Sequence, residues 1–175
     1  MAMLSFDIRS LEHEAATVDA VLPPTDGVWM EEDILRPIGE GVRVTGRLSA
    51  AGTGRRYYFS GHLSGASLGE CRRCLVPAES AVDVDVHVLF AVAGGEDDDD
   101  PDVFLLGHTR GDVLDLAPAV REQWMLEVPR FPVCRPDCKG LCPKCGADLN
   151  AGACGCAPET DPRWDALRML RDAPE

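Results

Sequence analysis

Val82-Asp-Val-Asp-Val-His-Val-Leu-Phe90 sets an apolar side chain against a polar one at nearly every step. Val82, Val84, Val86, Val88 and Phe90 fall on one side of an extended chain, and Asp83, Asp85 and His87 on the other. That period of two marks a strand with one face in a core and one in water. Upstream, Val42-Arg-Val-Thr-Gly-Arg-Leu48 repeats the pattern, with Val42, Val44 and Leu48 opposite Arg43, Thr45 and Arg47. Ala50-Ala-Gly-Thr-Gly54 predicts a hairpin loop into a strand over Arg55-Arg-Tyr-Tyr-Phe-Ser-Gly61. Leu4-Ser-Phe-Asp-Ile8 predicts a short strand, followed by a turn at Pro23-Pro-Thr-Asp-Gly27. Strands arriving one after another through short loops predict an α+β fold built on an antiparallel β-meander or small open barrel, with short helices.

Downstream, Gly94-Gly-Glu-Asp-Asp-Asp-Asp-Pro-Asp102 reads as a solvated acidic loop (94–102), since its like charges repel. It lacks the spacing and the closing Glu of an EF-hand, so a calcium site is not expected. Asp115 is placed to cap a helix over 115–128, with Pro118 in its first turn, Pro129 ending it, and Leu116, Val120 and Trp124 on one face. Asp161-Pro162 opens a second predicted helix at 161–175, lined by Trp164, Leu167 and Leu170. The expected division is therefore a β-rich domain at 1–129, a cysteine-rich module at 130–160 and the C-terminal helix.

Composition narrows the function classes. With 45% hydrophobic residues the chain can bury a core, so wholesale disorder is excluded. The longest apolar run, Val88–Ala93, is far short of a membrane span, and the first ten residues lack the features of a signal peptide, so a cytoplasmic protein is expected. The net charge of −13 argues against a protein that simply coats nucleic acid. The charge is uneven, however. Residues 41–74 carry six arginines (43, 47, 55, 56, 72 and 73) against Glu70 alone, whereas 75–129 are strongly acidic.

The eight cysteines are more informative. In a reducing compartment they would not persist as disulfides, and clustered thiols then point to metal. Cys142-Pro-Lys-Cys145-Gly has the form of a zinc knuckle, and Cys154-Gly-Cys156 supplies a second close pair, so these four can close a tetrahedral Zn2+ site. Cys71-Arg-Arg-Cys74 and Cys134-Arg-Pro-Asp-Cys138 would make a second all-cysteine site across a long sequence gap. The rival is one zinc held by Cys134, Cys138, Cys142 and Cys145. A structural role is expected over a catalytic one. Catalytic zinc keeps an open position and usually takes His or carboxylate ligands, and none of His13, His62, His87 and His108 lies in the cluster. A redox role for Cys71 and Cys74 lacks the helix N-terminus and βαβ setting of a thioredoxin-like site. No phosphate loop, dinucleotide fingerprint, zincin or nucleophile-elbow motif is present, so no enzyme and no small-molecule substrate are expected.

Cys71-Arg-Arg-Cys74-Leu, the strand and acidic loop after it, the Leu114-Asp-Leu116 helix start, and Cys138-Lys-Gly-Leu-Cys-Pro-Lys-Cys-Gly-Ala-Asp-Leu-Asn150 followed by Cys154-Gly-Cys156 and Asp161-Pro-Arg163 together resemble the YceD family. These are bacterial proteins, with plant relatives, associated with accumulation of the large (23S) ribosomal RNA. The resemblance runs from about residue 40 to the final helix and implies a non-enzymatic role in large ribosomal subunit biogenesis, with large-subunit rRNA, a ribosomal protein, or both as partner. It brings no catalytic residues. Physically, Arg43, Arg47, Arg55, Arg56, Arg72 and Arg73, with Lys139 and Lys144 on the zinc module, are the candidate contacts to phosphate or partner. The acidic stretch 79–102 can hold a basic ribosomal protein, or serve only as a solvated face. The alternative function is a zinc- and thiol-based redox-responsive regulator.

Overall fold

The computed structural model describes residues 4–52, 55–93, 100–106, 112–157 and 163. Most of the acidic loop, His108 and the expected C-terminal helix fall outside these residues. The described chain is mostly strands in two sheets, with two short helices. Its elements are β1 (Ser5–Asp7), α1 (Ile8–Leu11), β2 (Ala16–Leu22), β3 (Val42–Ala50), β4 (Arg56–Glu70), β5 (Pro77–Val92), β6 (Val103–Leu106), β7 (Val113–Asp115) and α2 (Ala117–Glu127).

The main sheet has the order β2-β3-β4-β5-β6, and β1 pairs antiparallel with β7 in a separate two-stranded sheet. From β2 to β5 every pairing is antiparallel, with Val44 opposite both Ala20 and Leu63. The last pairing departs from a meander: β6 lies parallel to β5, with Phe90 opposite Phe104. A parallel neighbour must start from the same end of the sheet, which a tight hairpin cannot achieve. The connection between the two strands takes in the acidic run, of which 94–99 lie outside the described residues.

The alternation of 82–90 translates directly into burial. Val82, Val86, Val88 and Phe90 are buried, Val84 is half-buried, and Asp83, Asp85 and His87 are exposed. β2 alternates in the same way, burying Val18, Ala20 and Leu22, although sequence analysis did not single it out as a strand. The expected strand at 4–8 is shorter: Ile8 leaves it to start α1, where the Asp7 side chain accepts the Arg9 N–H at 2.9 Å and so favours a helical turn. At α2 the cap is Leu116 rather than Asp115. Asp115 still serves the helix end, its carboxylate accepting the Ala117 N–H at 3.0 Å.

β4 and β5 dominate the molecule. They pair without interruption from Arg56 opposite Ala91 to Glu70 opposite Pro77. At roughly 3.4 Å per residue the 15 residues of β4 make a ribbon about 50 Å long. Its inner face carries Tyr57, Phe59 and Leu63, then glycines at 65 and 69. A Cβ at Gly65 would stand 3.1 Å from the Trp124 ring, so the missing side chain lets α2 lie flat on the sheet. Trp124 is fully buried there, and its indole N–H donates to Leu35 O at 3.0 Å. One turn earlier, Arg121 clamps Asp33 in a two-pronged ion pair at 2.7 and 2.5 Å, fixing the 30–35 segment against α2. The ribbon's far end is the six-residue turn 71–76, which holds the first cysteine pair.

Candidate metal centres

The turn at the tip of the β4–β5 hairpin is a knuckle. The Cys71 N–H donates to Val76 O, and the Leu75 N–H donates back to Cys71 O, both at 2.8 Å. Closing so tight a loop requires a left-handed residue, and Leu75 takes that position at φ 63°. The segment Cys142–Ala147 repeats the arrangement bond for bond. The Cys142 N–H donates to Ala147 O and the Gly146 N–H to Cys142 O, again at 2.8 Å, with Gly146 at φ 72°. Two Cys-x-x-Cys stretches far apart in sequence thus adopt one local structure.

Each knuckle meets a second cysteine pair. The sulfurs of Cys71, Cys74, Cys134 and Cys138 lie within 4.8 Å of one another, and so do those of Cys142, Cys145, Cys154 and Cys156. These are the two groups expected from the spacing; the rival grouping of Cys134 and Cys138 with Cys142 and Cys145 is not the one formed. Sγ–Sγ separations of 3.9 Å (Cys71 to Cys138) and 3.6 Å (Cys74 to Cys134) are far too long for disulfides. They match the edge of a tetrahedron of sulfurs about 2.3 Å from a central ion, which is about 3.8 Å. Both groups can therefore hold a metal ion, and four soft sulfur donors at this spacing suit a single tetrahedral ion.

The local electrostatics fit the same chemistry. The N–H of Cys134, with those of Arg73 and Cys74, points at the Cys71 sulfur and brings its thiol down to about 6. The N–H groups of Cys145 and Lys144 bring Cys142 down to about 6 in the same way. Burial, then the neighbouring thiols of Cys74 and Cys138, push Cys134 up to about 12. The thiol of Cys145, then burial, push Cys156 up to about 11. Cys71 and Cys142 are thus the sulfurs inclined to the thiolate form, while Cys74 and Cys134 in the first group, and Cys154 and Cys156 in the second, resist adding more negative charge.

The two groups differ in setting. Cys71, Cys74 and Cys138 are buried in a small satellite core with Ala78, Val133 and Leu141 packed around it. In the second group Cys142 is buried but Cys145 and Cys156 are exposed. The first group also clips Cys74 to Cys134 across 60 residues, whereas Cys145 and Cys154 are nine apart. Loop-closure entropy makes the longer clip worth about 1.5 kcal/mol more to the folded state.

Three residues that sequence analysis did not assign to the site tie these parts together. Arg73, expected to face a partner, instead donates to Cys138 O at 2.8 Å and Pro136 O at 3.3 Å, while its own carbonyl accepts the Leu141 N–H. Asn150 Nδ2 donates to Cys138 Sγ at 3.6 Å, and Asn150 Oδ1 accepts the Lys139 N–H at 2.8 Å. Asp148 holds Asn150 in turn, and the Asn150 N–H and amide keep its carboxyl below the usual range. A cation–phosphate expectation based on residue type alone could not have separated Arg73 from its neighbour.

Among the other basic residues, Arg43 pairs with Asp19 at 2.8 Å and Arg55 with Asp112 at 3.2 Å. Arg56 opens β4, and Arg47 is exposed on the polar face of the sheet. Arg72 is exposed on the first knuckle, where its N–H donates to Pro132 O. Lys139 and Lys144 are exposed on the C-terminal module. These side chains are spread over the sheet face and the hairpin tip. No helix among the described residues is long and apolar enough to cross a membrane.

Comparison with known proteins bears on the same region. An uncharacterised protein of Mycobacterium tuberculosis is 32% identical over 164 residues, covering 93% of this chain and 72% of the relative. The uncharacterised protein YlbN of Bacillus subtilis is 30% identical over 131 residues, 74% of this chain and 73% of that protein. A chloroplastic protein of Zea mays named large ribosomal RNA subunit accumulation protein YCED homolog 1 is 44% identical over 46 residues, 26% of this chain and 16% of its own length. No solved structure matches the chain. The family described as large ribosomal RNA subunit accumulation protein YceD, named for an accumulation role rather than a reaction, matches residues 59–171. That span takes in the hairpin from Phe59 onward and both cysteine groups, and the chain belongs to the YceD family.

Proposed function

We propose that this chain is a non-enzymatic cytoplasmic factor in large ribosomal subunit biogenesis that supports 23S rRNA accumulation, and that zinc in its two cysteine groups fixes the surface with which it docks. The observation that carries the reading is the family match over 59–171, which encloses all eight cysteines. Cys71, Cys74, Cys134 and Cys138 would hold one Zn2+, and Cys142, Cys145, Cys154 and Cys156 the other. Zinc supplies no redox chemistry; it neutralises the thiolates and locks their geometry. The chain's own residues do the rest. The long hairpin carries the first knuckle out from the β-rich part (1–129) and fastens it to the module at 130–160, with Arg73 holding the joint and Asn150 steadying Cys138 on the module side.

Large-subunit rRNA, a ribosomal protein, or both are the proposed partners. With Arg43 and Arg55 engaged by carboxylates and Arg73 by carbonyls, the exposed Arg47, Arg72 and Lys139 are the better placed contacts for phosphate. A second reading, a thiol-based regulator that loses zinc on oxidation, draws on the exposure of Cys145 and Cys156.

Deleting the gene and restoring it as wild type or as Cys71→Ser tests the first reading. The expected result is a fall in the ratio of large to small rRNA on deletion, restored by the wild type and not by the variant. An unchanged ratio in the deletion strain overturns it. Zinc loss under peroxide that tracks with regulation while rRNA stays constant would favour the second.

A further inference from the structure

A groove of about 880 Å³ opens between α2, the 32–35 segment and the far end of the β4–β5 ribbon. Leu35, Leu68 and Met125 line its apolar part, while Ile34 and Leu126, also lining it, are 88% and 65% exposed. Soluble proteins rarely leave aliphatic side chains so bare around a concave apolar surface unless something covers them. The charge of the same lining is one-sided: Glu32, Glu70 and Glu122 against Arg130.

We infer that this groove receives an amphipathic helix with basic flanks, contributed by a partner protein. The apolar floor takes the aliphatic stripe of such a helix, and the three carboxylates meet its lysines or arginines. RNA does not fit, because a polyanion would face those carboxylates. An added β-strand fits poorly too, since α2 and a loop form much of the wall and offer side chains rather than a free strand edge. The inference deepens the assembly-factor reading by naming protein as the ligand of this face, and it rests on that reading only for who supplies the helix.

The groove is also joined to the first cysteine group. Glu70 adjoins Cys71, and the lining residue Pro132 lies two positions before Cys134. A Cβ on Gly69 would stand 2.9 Å from Pro132 Cγ and 3.1 Å from Leu35 Cδ2, so strand, loop and module meet at that glycine.

The test uses the purified full chain and a fluorescent 18-residue peptide of leucine and lysine, with leucines at helical spacing. Fluorescence anisotropy is expected to show binding that weakens about tenfold with Ile34→Asp or Leu126→Asp, equivalent to about 1.4 kcal/mol. Both residues are exposed, so both variants should fold, which far-UV circular dichroism checks. Glu32→Lys with Glu122→Lys should weaken binding further at low salt. Equal binding of a leucine–glutamate peptide, or indifference to Ile34→Asp and Leu126→Asp, overturns the inference. Tighter binding of a peptide of this chain's residues 158–175 overturns it in favour of self-occupancy. Binding of a uridine 12-mer that Ile34→Asp weakens overturns it in favour of RNA. These readouts do not involve rRNA levels, so a failed groove leaves the assembly-factor reading standing. An unchanged rRNA ratio on deletion removes that reading and leaves the groove.

Discussion

Asn150 reaches back twelve residues to donate its side-chain N–H to the sulfur of Cys138, 3.6 Å away. The same amide accepts the Lys139 N–H through Oδ1, so it pins the loop between Cys145 and Cys154 back onto the first cysteine group. Hydrogen bonds from outside the ligand set stabilise a thiolate and orient it, and removing one typically costs tenfold or more in metal affinity. Asn150→Ala is therefore expected to weaken zinc at the first group by about ten- to a hundredfold, read by competition with a chromophoric chelator. Asn150→Asp should be at least as damaging, because it sets a carboxylate against the sulfur. Unchanged affinity in both would mean that Asn150 only closes the local turn.

The exposed and buried groups should separate chemically. Two all-cysteine sites require about two zinc ions per chain by elemental analysis. With Cys145 and Cys156 exposed and Cys71, Cys74 and Cys138 buried, a mild chelator should strip the second group first. Timed alkylation read by mass spectrometry should then label Cys145 and Cys156 well before Cys71 and Cys138. Simultaneous labelling of all eight would show one cooperative unit, and protein purified under reducing conditions without zinc would remove the metal reading.

Much of this was legible from the residues, for reasons that differ by element. Val82 to Phe90 and Val42 to Leu48 announce their faces because a half-buried strand must alternate. Cysteine spacing marked the close pairs, because a knuckle is a local structure, but left open whether Cys134 and Cys138 join Cys71 and Cys74 or Cys142 and Cys145. The reach of β4 to Glu70 was less visible, since Gly61, Gly65 and Gly69 stand where inward apolar residues were sought. Those positions are explained only by what packs on them, Trp124 and Pro132 among others. The role of Arg73 depends on a contact across 65 residues, and the parallel seating of β6 and the reach of Asn150 to Cys138 on contacts 14 and 12 residues apart that no local pattern marks. Spacing along the chain does not encode such contacts.

Leu75 and Gly146 hold equivalent left-handed positions, so exchange at the two should be close to symmetrical. A side chain there costs about 1 kcal/mol, while glycine costs a similar amount through the freedom it gives the unfolded chain. Leu75→Gly should thus change stability by less than about 0.5 kcal/mol, the two terms nearly cancelling. Gly146→Leu is the reverse exchange, and since a Cβ there meets nothing within 4 Å, the same two terms should keep its cost below about 0.5 kcal/mol as well. Urea unfolding of the two zinc-loaded variants measures both. A large loss from Leu75→Gly would give the exposed Leu75 side chain a packing role.

Asp33 provides a pH-dependent test of how the 30–35 segment is held. The hydrogen bond from Arg121, then that from the Met30 N–H, outweigh burial and hold the Asp33 carboxyl below its usual range. A carboxyl depressed in the folded state adds stability above its unfolded value, near pH 4, and loses it as pH falls through the folded value. The side chain is only 4% exposed, but the pair lies just beneath the surface, so screening trims its worth. Asp33→Asn should therefore cost about 2 kcal/mol at pH 7. The gap to the wild type should be full above about pH 5 and shrink steadily below pH 4. Zinc loss in acid affects both proteins alike and drops out of the difference. A gap that stays constant from pH 7 down to pH 3 would assign the loss to packing and not to the ion pair.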